Sequence, residues 1–237
     1  MQDMAGALYG MLEVVGGVVF IFVAGFVLSK DPKYDLNRLV CLAFLCFSVT
    51  LLSEGLLYVL QSSDPVLINL LRDLTEIGGL FAGAFILLAG IHLSKGKEWR
   101  SFHYLSPIFA FTLLGAFFVQ FEHVRIQLIN NTKFYYYVSD FWWSFVLISL
   151  LPVLMLVLSF YMFNTVRRGA VKTGDSKLAQ RMLLLQVGMV LIIVSAPLLV
   201  LQVQFLIPTG TQPNLALIIP GQLGYLASSF TIFLAFK

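Results

Sequence analysis

Seven long apolar stretches, separated by short polar segments, make up almost the whole chain. A helix needs about 20 apolar residues to cross the hydrocarbon core of a bilayer, and each stretch approaches or exceeds that length. The pattern predicts an all-α polytopic membrane protein, a single seven-helix transmembrane domain over residues 1–237. The predicted spans are Ala5–Ser29, Leu39–Leu60, Leu74–Leu93, Tyr104–Phe121, Phe141–Phe163, Met182–Ile207 and Leu215–Phe236.

The composition of the chain indicates the same class. Hydrophobic residues make up 59% of it and charged residues 11%, whereas soluble domains average about 45–50% and about 25%. A soluble fold could not cover so much apolar surface, so the lipid bilayer is the expected surrounding. The net charge of +3 does not suggest a nucleic-acid partner.

The basic residues alternate between the connections and predict the orientation of the chain. Twelve of the 15 Lys and Arg residues lie in the first, third and fifth connections or at Lys237, and only Arg72, Arg125 and Lys133 lie elsewhere. Basic loops stay in the cytoplasm. The N-terminus is therefore expected outside the cell membrane and the C-terminus in the cytoplasm.

Four acidic residues inside the spans are the candidate ligand-binding residues: Glu13, Glu54, Asp73 and Glu76. With this orientation all four fall in the outer half of the bilayer. A carboxylate costs roughly 2.5 to 3.5 kcal/mol at the centre of a transmembrane helix. We therefore expect an acidic cavity among spans one, two and three that takes a small ligand, a cation or a proton. For Asp73 and Glu76, an alternative is stabilisation of a helix N-terminus, with Arg72 paired to Glu76.

Other polar groups suggest no further chemistry. No HxxxH or CxxC spacing occurs, Cys41 and Cys46 cannot bridge within one helix, and spans six and seven contain no lysine that could bind retinal. We expect no metal, no cofactor and no enzymatic activity. Four glutamines in spans six and seven are expected to link helices: Gln186, Gln202, Gln204 and Gln222. Gln202 and Gln204 could also line the cavity.

Three further segments suggest contacts. Gly79 and Gly83 form a GxxxG pair that favours close helix packing, a central span three and a possible homodimer. The fourth connection, Gln120–Asp140, is rich in aromatic residues and is either an interfacial belt or a hairpin over an external pocket; it contains a glycosylation sequon at Asn130. The basic residues of the fifth connection are candidates for contact with a partner or with lipid headgroups: Arg167, Arg168, Lys172, Lys177 and Arg181.

The layout resembles the N-terminal seven-helix sensor region of bacterial and archaeal membrane histidine kinases. The likeness rests on Asn37-Arg38-Leu39 at span two, the proline that opens span four, the aromatic external connection, the run Gln180–Leu184 after the basic segment, and the prolines Pro213 and Pro220 near span seven. It implies sensing of a ligand or of the membrane state, with output through a cytoplasmic signalling protein. Kinase activity is not expected of residues 1–237, either as an isolated sensor-like unit or as a piece of a longer receptor.

Two other functions fit the same residues. The carboxyls could serve a small transporter or channel for a cation, a proton or an amine. The chain could also be a non-catalytic membrane subunit that assembles with a partner through the Gly79 and Gly83 face.

Overall fold

The structure, a computed structural model, describes residues 4–129, 132–200 and 215–237. Seven of its helices are long and apolar enough to cross a membrane, which confirms the predicted class, a multi-pass membrane protein. A two-stranded hairpin departs from the all-α prediction. The elements are α1 Met4–Lys30, α2 Asp35–Leu60, α3 Pro65–Lys95, a 3-10 turn Gly96–Arg100, α4 Phe102–Val119, β1 Glu122–Ile129, β2 Thr132–Ser139, α5 Trp142–Lys172, α6 Ser176–Val200 and α7 Leu215–Phe236.

Two helices extend well beyond the predicted apolar spans. The third begins at Pro65 rather than Leu74, because proline suits the first turn of a helix and Asp64 caps it by accepting a 3.0 Å hydrogen bond from the Val66 amide. The fifth continues to Lys172. Hydropathy alone cannot find these ends, since a helix can continue into water with polar residues.

Six helices form a closed ring in the order α1, α2, α3, α5, α6, α7, with α7 packing against α1. The fourth helix packs against α3 and α5 from outside the ring. Its side chains Phe111, Leu113 and Phe117 are all exposed, as expected for a face that contacts lipid tails. The α3 helix also contacts α2, α4, α5 and β1, which agrees with the predicted central position of span three.

Small residues set the closest helix crossings. Gly10 of α1 and Gly55 of α2 face each other so closely that a β-carbon on Gly55 would lie 2.7 Å from the Gly10 carbonyl oxygen. A β-carbon on Gly83 would lie 3.2 Å from the α-carbon of Pro152 in α5. This side of α3 is therefore covered within the chain, and a homodimer through the predicted Gly79 and Gly83 face would have to displace α5.

The hairpin lies where α2 ends and α3 begins, which we call the hairpin end of the bundle. Its strands pair antiparallel, with Val124 opposite Tyr137. Lys133 and Gln61 bond reciprocally: the Lys133 amide donates to Gln61 Oε1 over 2.8 Å and Gln61 Nε2 donates to the Lys133 carbonyl over 3.1 Å. The Tyr58 hydroxyl donates to the Tyr135 carbonyl over 2.9 Å. These bonds fix the hairpin to the α2–α3 connection.

The opposite end of the bundle, which we call the basic end, is filled by the main apolar core. Phe20, Phe44 and Phe163, from α1, α2 and α5, are each at most 1% exposed and belong to one packed cluster with Met182 of α6 and Ala235 of α7. Side chains from all six ring helices, α3 included, pack together in this cluster.

Candidate functional site: an acidic cavity inside the helix ring

A cavity of about 330 Å³ lies inside the ring. All six ring helices contribute to its wall, and β2 adds Tyr137. Glu13, Glu54 and Glu76 all line it, whereas no Lys, Arg or His is among the described residues of the wall. The structure therefore brings together three of the four predicted acids, from three different helices. More helices form the cavity than predicted, because α5, α6 and α7 also contribute to its wall.

Glu13 is held in the wall by α7. Its side chain is 1% exposed, and its Oε1 accepts a hydrogen bond from Nε2 of Gln222. Its second oxygen, Oε2, has no hydrogen-bond partner among the described residues. A buried carboxyl oxygen without a donor is costly, so a ligand that supplies a donor would relieve that cost.

Glu54 is bonded to the first helix. Its Oε1 accepts a 2.7 Å hydrogen bond from the Tyr9 hydroxyl. Tyr9 lies four residues before Glu13 and so shares its helix face. The α1 face that carries Glu13 thus also positions Glu54, and the crossing of Gly10 with Gly55 brings the two helices close enough for this bond.

Glu76 enters the cavity from the α2–α3 contact. The neighbouring Thr75 is bonded to α2, since Thr50 Oγ1 donates to the Thr75 carbonyl over 3.0 Å. The Glu76 carboxyl interacts electrostatically with Glu54 inside the cavity and with Glu122 at the base of the hairpin. Like charges in one cavity repel each other, which favours a bound cation or proton.

Asp73 does not line the cavity. Its side chain is 41% exposed, and its Oδ1 lies 2.5 Å from Nη2 of Arg72. The expected N-terminal role of Asp73 and Glu76 is wrong, because α3 begins at Pro65 and places both residues beyond its first two turns. The expected Arg72–Glu76 ion pair is not among the described ion pairs. Arg72 instead points to the hairpin base.

The sequence did not predict that Arg72 anchors the base of the hairpin. The Arg72 side chain is 4% exposed, and its Nη1 donates to the carbonyl oxygen of Val119 over 3.0 Å and to that of Glu122. Glu122 is buried, and neither of its carboxyl oxygens has a hydrogen-bond partner in the described part of the chain. The pKa of Glu122 is raised to about 7. Burial is the largest cause of this rise, the nearby Arg72 opposes it, and Asp73 adds to it. The signal missed was an arginine two residues before the predicted span Leu74–Leu93.

The tyrosine of the hairpin adds a proton donor to the wall. Burial, followed by the charges of Glu54 and Glu76, raises the pKa of Tyr137 well above its usual value. Its phenol therefore stays protonated at any physiological pH. The alternating strand pattern places Tyr137 on the same face as Tyr135, whose hydroxyl donates to the Ser62 carbonyl over 2.8 Å.

The remaining predicted residues divide between three places. Gln222 links α7 to α1 as described, Gln186 is buried in α6, and Gln202, Gln204 and the Asn130 sequon lie outside the described residues. The predicted basic connection is mostly helix: Arg167 to Lys172 end α5, and Lys177 and Arg181 begin α6. Of these five cations, all but the half-buried Arg167 are exposed.

A comparison with models of protein families finds no match, and a comparison with curated proteins finds none either. Within the described ranges, no group of three or more His, Cys, Asp or Glu residues is placed to hold a metal ion. Fold and site together define a multi-pass membrane protein with a buried acidic cavity.

The raised pKa of Glu122 predicts a pH dependence of stability. In the unfolded chain a glutamate ionises near pH ~4.3, but in the fold it holds its proton up to a pH of about 7. Between these values the unfolded state binds fewer protons, so stability falls as pH rises. We expect the melting temperature of the wild type, relative to Glu122→Gln, to fall between pH ~5 and ~8.

This difference is measured by heat denaturation of both proteins in one detergent over that pH range. The exposed Glu98→Gln variant is the control and should keep the wild-type pH profile. A wild-type profile parallel to that of Glu122→Gln would show that this carboxyl does not hold its proton in the fold.

Proposed function

We propose that this chain is a receptor-like sensor module of the cell membrane, with its N-terminus outside. It binds a small cationic ligand in the acidic cavity and signals through a cytoplasmic partner. One observation carries the proposal: Glu13, Glu54 and Glu76 converge from three helices on one cavity whose described wall has no basic side chain. Carboxylates at membrane depth are costly, and a bound cation offsets that cost.

The apolar core at the basic end favours sensing over transport. Phe20 lies seven residues beyond Glu13 in α1, and Phe44 lies ten residues before Glu54 in α2. Both therefore lie about 10 to 15 Å further toward the basic end than the carboxyls. Their cluster lies between the cavity and the basic end in the described part of the bundle, and an apolar core opposes the passage of a cation.

The fifth and sixth helices offer a route for the signal. Both contribute to the cavity wall, with Pro152 and Leu156 from α5 and Ile192 from α6. Both also meet at the basic end, where only residues 173–175 separate them. A ligand that shifts α5 against α6 would move the exposed cations of this turn, which are suited to an acidic partner or to anionic headgroups.

Binding of simple cations tests the proposal. The purified protein, in nanodiscs of zwitterionic lipid, is titrated with sodium, potassium, methylammonium and phenethylammonium by calorimetry. We expect at least one of these probes to bind, and binding to weaken about tenfold or more in Glu54→Gln and in Glu76→Gln. The exposed Glu98→Gln variant is the matched control and should bind like the wild type.

Flux measurements distinguish the main alternative. The same cations are loaded into proteoliposomes, and their efflux is followed with and without the protein. Binding without flux supports a sensor. Flux that Glu54→Gln abolishes would instead show a transporter or channel, and the absence of any carboxyl-dependent binding would contradict both.

A further inference from the structure

The cavity has two chemically different halves along the membrane normal. In α2, which runs toward the hairpin end, Glu54 comes seven residues after Phe47; in α3, which runs away from it, Glu76 comes seven residues before Gly83. Seven residues of helix span about 10 Å. In both helices, therefore, the carboxyl lies nearer to the hairpin and the apolar position lies deeper.

The deeper half has an apolar wall. Phe47 of α2, Pro152 and Leu156 of α5, and Ile192 of α6 line it, and Gly83 of α3 leaves space between them because it has no side chain. A site made only for a hydrated metal ion or a proton has no use for such a wall. A wall of this kind is typical of sites that enclose the body of an organic ligand.

The carboxyl half lacks one partner. The Glu13 side chain is 1% exposed and forms part of the cavity wall. Its Oε2 atom forms no hydrogen bond within the described structure. Gln222 occupies the other oxygen. A primary ammonium has three N–H donors, so it can donate to the free oxygen of Glu13 while its charge is attracted by Glu54 and Glu76 in the same cavity wall.

The size of the cavity limits the ligand. Its volume of about 330 Å³ lies at the lower end of the range for small-molecule sites, and it equals roughly ten water-sized groups. This is room for an ammonium group with a compact aromatic or branched body.

We propose that the ligand is a small amphiphilic amine. Its ammonium lies among Glu13, Glu54 and Glu76, and its apolar body lies between α2, α5 and α6, deeper in the membrane. This assignment rests on the proposed function and specifies the chemical class of its ligand.

The test compares three probes that differ in one property each, by calorimetry against protein in nanodiscs and against empty nanodiscs. Phenethylammonium has both the charge and the apolar body, methylammonium has only the charge, and 2-phenylethanol has only the body. We expect phenethylammonium to bind about tenfold or more tightly than either of the others. Glu54→Gln and Glu76→Gln should remove most of that advantage.

A second variant keeps the carboxyls and fills the space. Gly79 lines the cavity, and a β-carbon there would have Thr50 Oγ1 at 3.9 Å as its nearest neighbour, so the leucine of Gly79→Leu fits at its base and extends into the cavity. It should weaken phenethylammonium much more than methylammonium. Gly25→Leu is the control, because nothing lies within 4 Å of that position.

The outcomes separate this inference from the proposed function. Carboxyl-dependent binding in which methylammonium or sodium equals phenethylammonium would overturn the amphiphilic amine and leave a cation sensor. Equal loss of both ammonium probes in Gly79→Leu would also overturn it. If no probe shows carboxyl-dependent binding, both proposals are wrong.

Discussion

Replacing Gly55 with alanine should open the crossing between α1 and α2 and lower stability by about 1 to 3 kcal/mol. The added β-carbon would meet the Gly10 carbonyl oxygen at 2.7 Å and the Val14 amide nitrogen at 2.9 Å. Both are backbone atoms, so no side-chain rotation can relieve the contact. The helices must move apart, and this weakens the Tyr9–Glu54 hydrogen bond that aligns two helices of the cavity.

The free energy of unfolding in mixed detergent micelles measures this effect. Gly25→Ala is the matched control, because nothing lies within 4 Å of its new β-carbon and alanine is a better helix former than glycine. It should equal the wild type or exceed it slightly. A Gly55→Ala protein as stable as Gly25→Ala would show that the two backbones are not in contact.

Replacing Arg72 with methionine should release the base of the hairpin. Methionine keeps an unbranched apolar stem but removes the donors to Val119 and Glu122 and the charge beside Asp73. Removing one member of a buried ionic group costs about 3 to 5 kcal/mol. We expect the lower end of that range, because the Asp73 side chain is 41% exposed and retains solvation.

Unfolding in mixed micelles and limited proteolysis of the hairpin measure the change together. The control is Arg125→Met on the exposed side of β1, which should stay within about 0.5 kcal/mol of the wild type. Faster cleavage within residues 120–140 in Arg72→Met, and not in Arg125→Met, would locate the effect. Equal stability of the two variants would show that Arg72 does not anchor the hairpin.

Hydropathy predicted the seven spans because a helix that crosses the hydrocarbon core needs an apolar stretch of about 20 residues. Leu39–Leu60 and Leu215–Phe236 lie within or match observed helices. The start of α3 was misplaced because Arg72 and Asp73 interrupt the apolar sequence that begins after Pro65, and the predicted span starts behind them. A helix signal was present in Asp64-Pro65, a cap followed by a first-turn proline, but it does not raise hydropathy.

The hairpin was predicted only as an alternative to an aromatic belt. Its strands, Glu122–Ile129 and Thr132–Ser139, are rich in β-branched and aromatic residues, which favour strands but are also enriched at membrane interfaces. The composition satisfies both readings equally. The hydrogen bond between Lys133 and Gln61 of the α2–α3 connection decides between them. These two residues are 72 positions apart in the sequence, so no local pattern reveals their contact.

The acidic site was predicted in part. The cost of carboxyls in the membrane pointed to Glu13, Glu54 and Glu76, and charge alternation placed them at one depth. Neither argument could separate Asp73 from Glu76, because residues three apart share a helix face and only the packing of α3 decides which of them meets the cavity. Nor could one-dimensional reasoning show that α4 lies outside the ring while α5, α6 and α7 close it.

The central claim, three carboxyls around one accessible cavity, is tested most directly by a cysteine at Gly79. In a background with Cys41 and Cys46 replaced by alanine, Gly79→Cys is treated with trimethylammonium-ethyl and sulfonato-ethyl methanethiosulfonate. The rate with the cationic reagent is divided by the rate with the anionic reagent, and this ratio is divided by the same ratio measured for free 2-mercaptoethanol. A local negative potential should raise this ratio about tenfold or more, and Glu54→Gln with Glu76→Gln should lower it to the smaller value that Glu13 alone maintains. A ratio of one in the parent, or no reaction with either reagent, would contradict the acidic cavity.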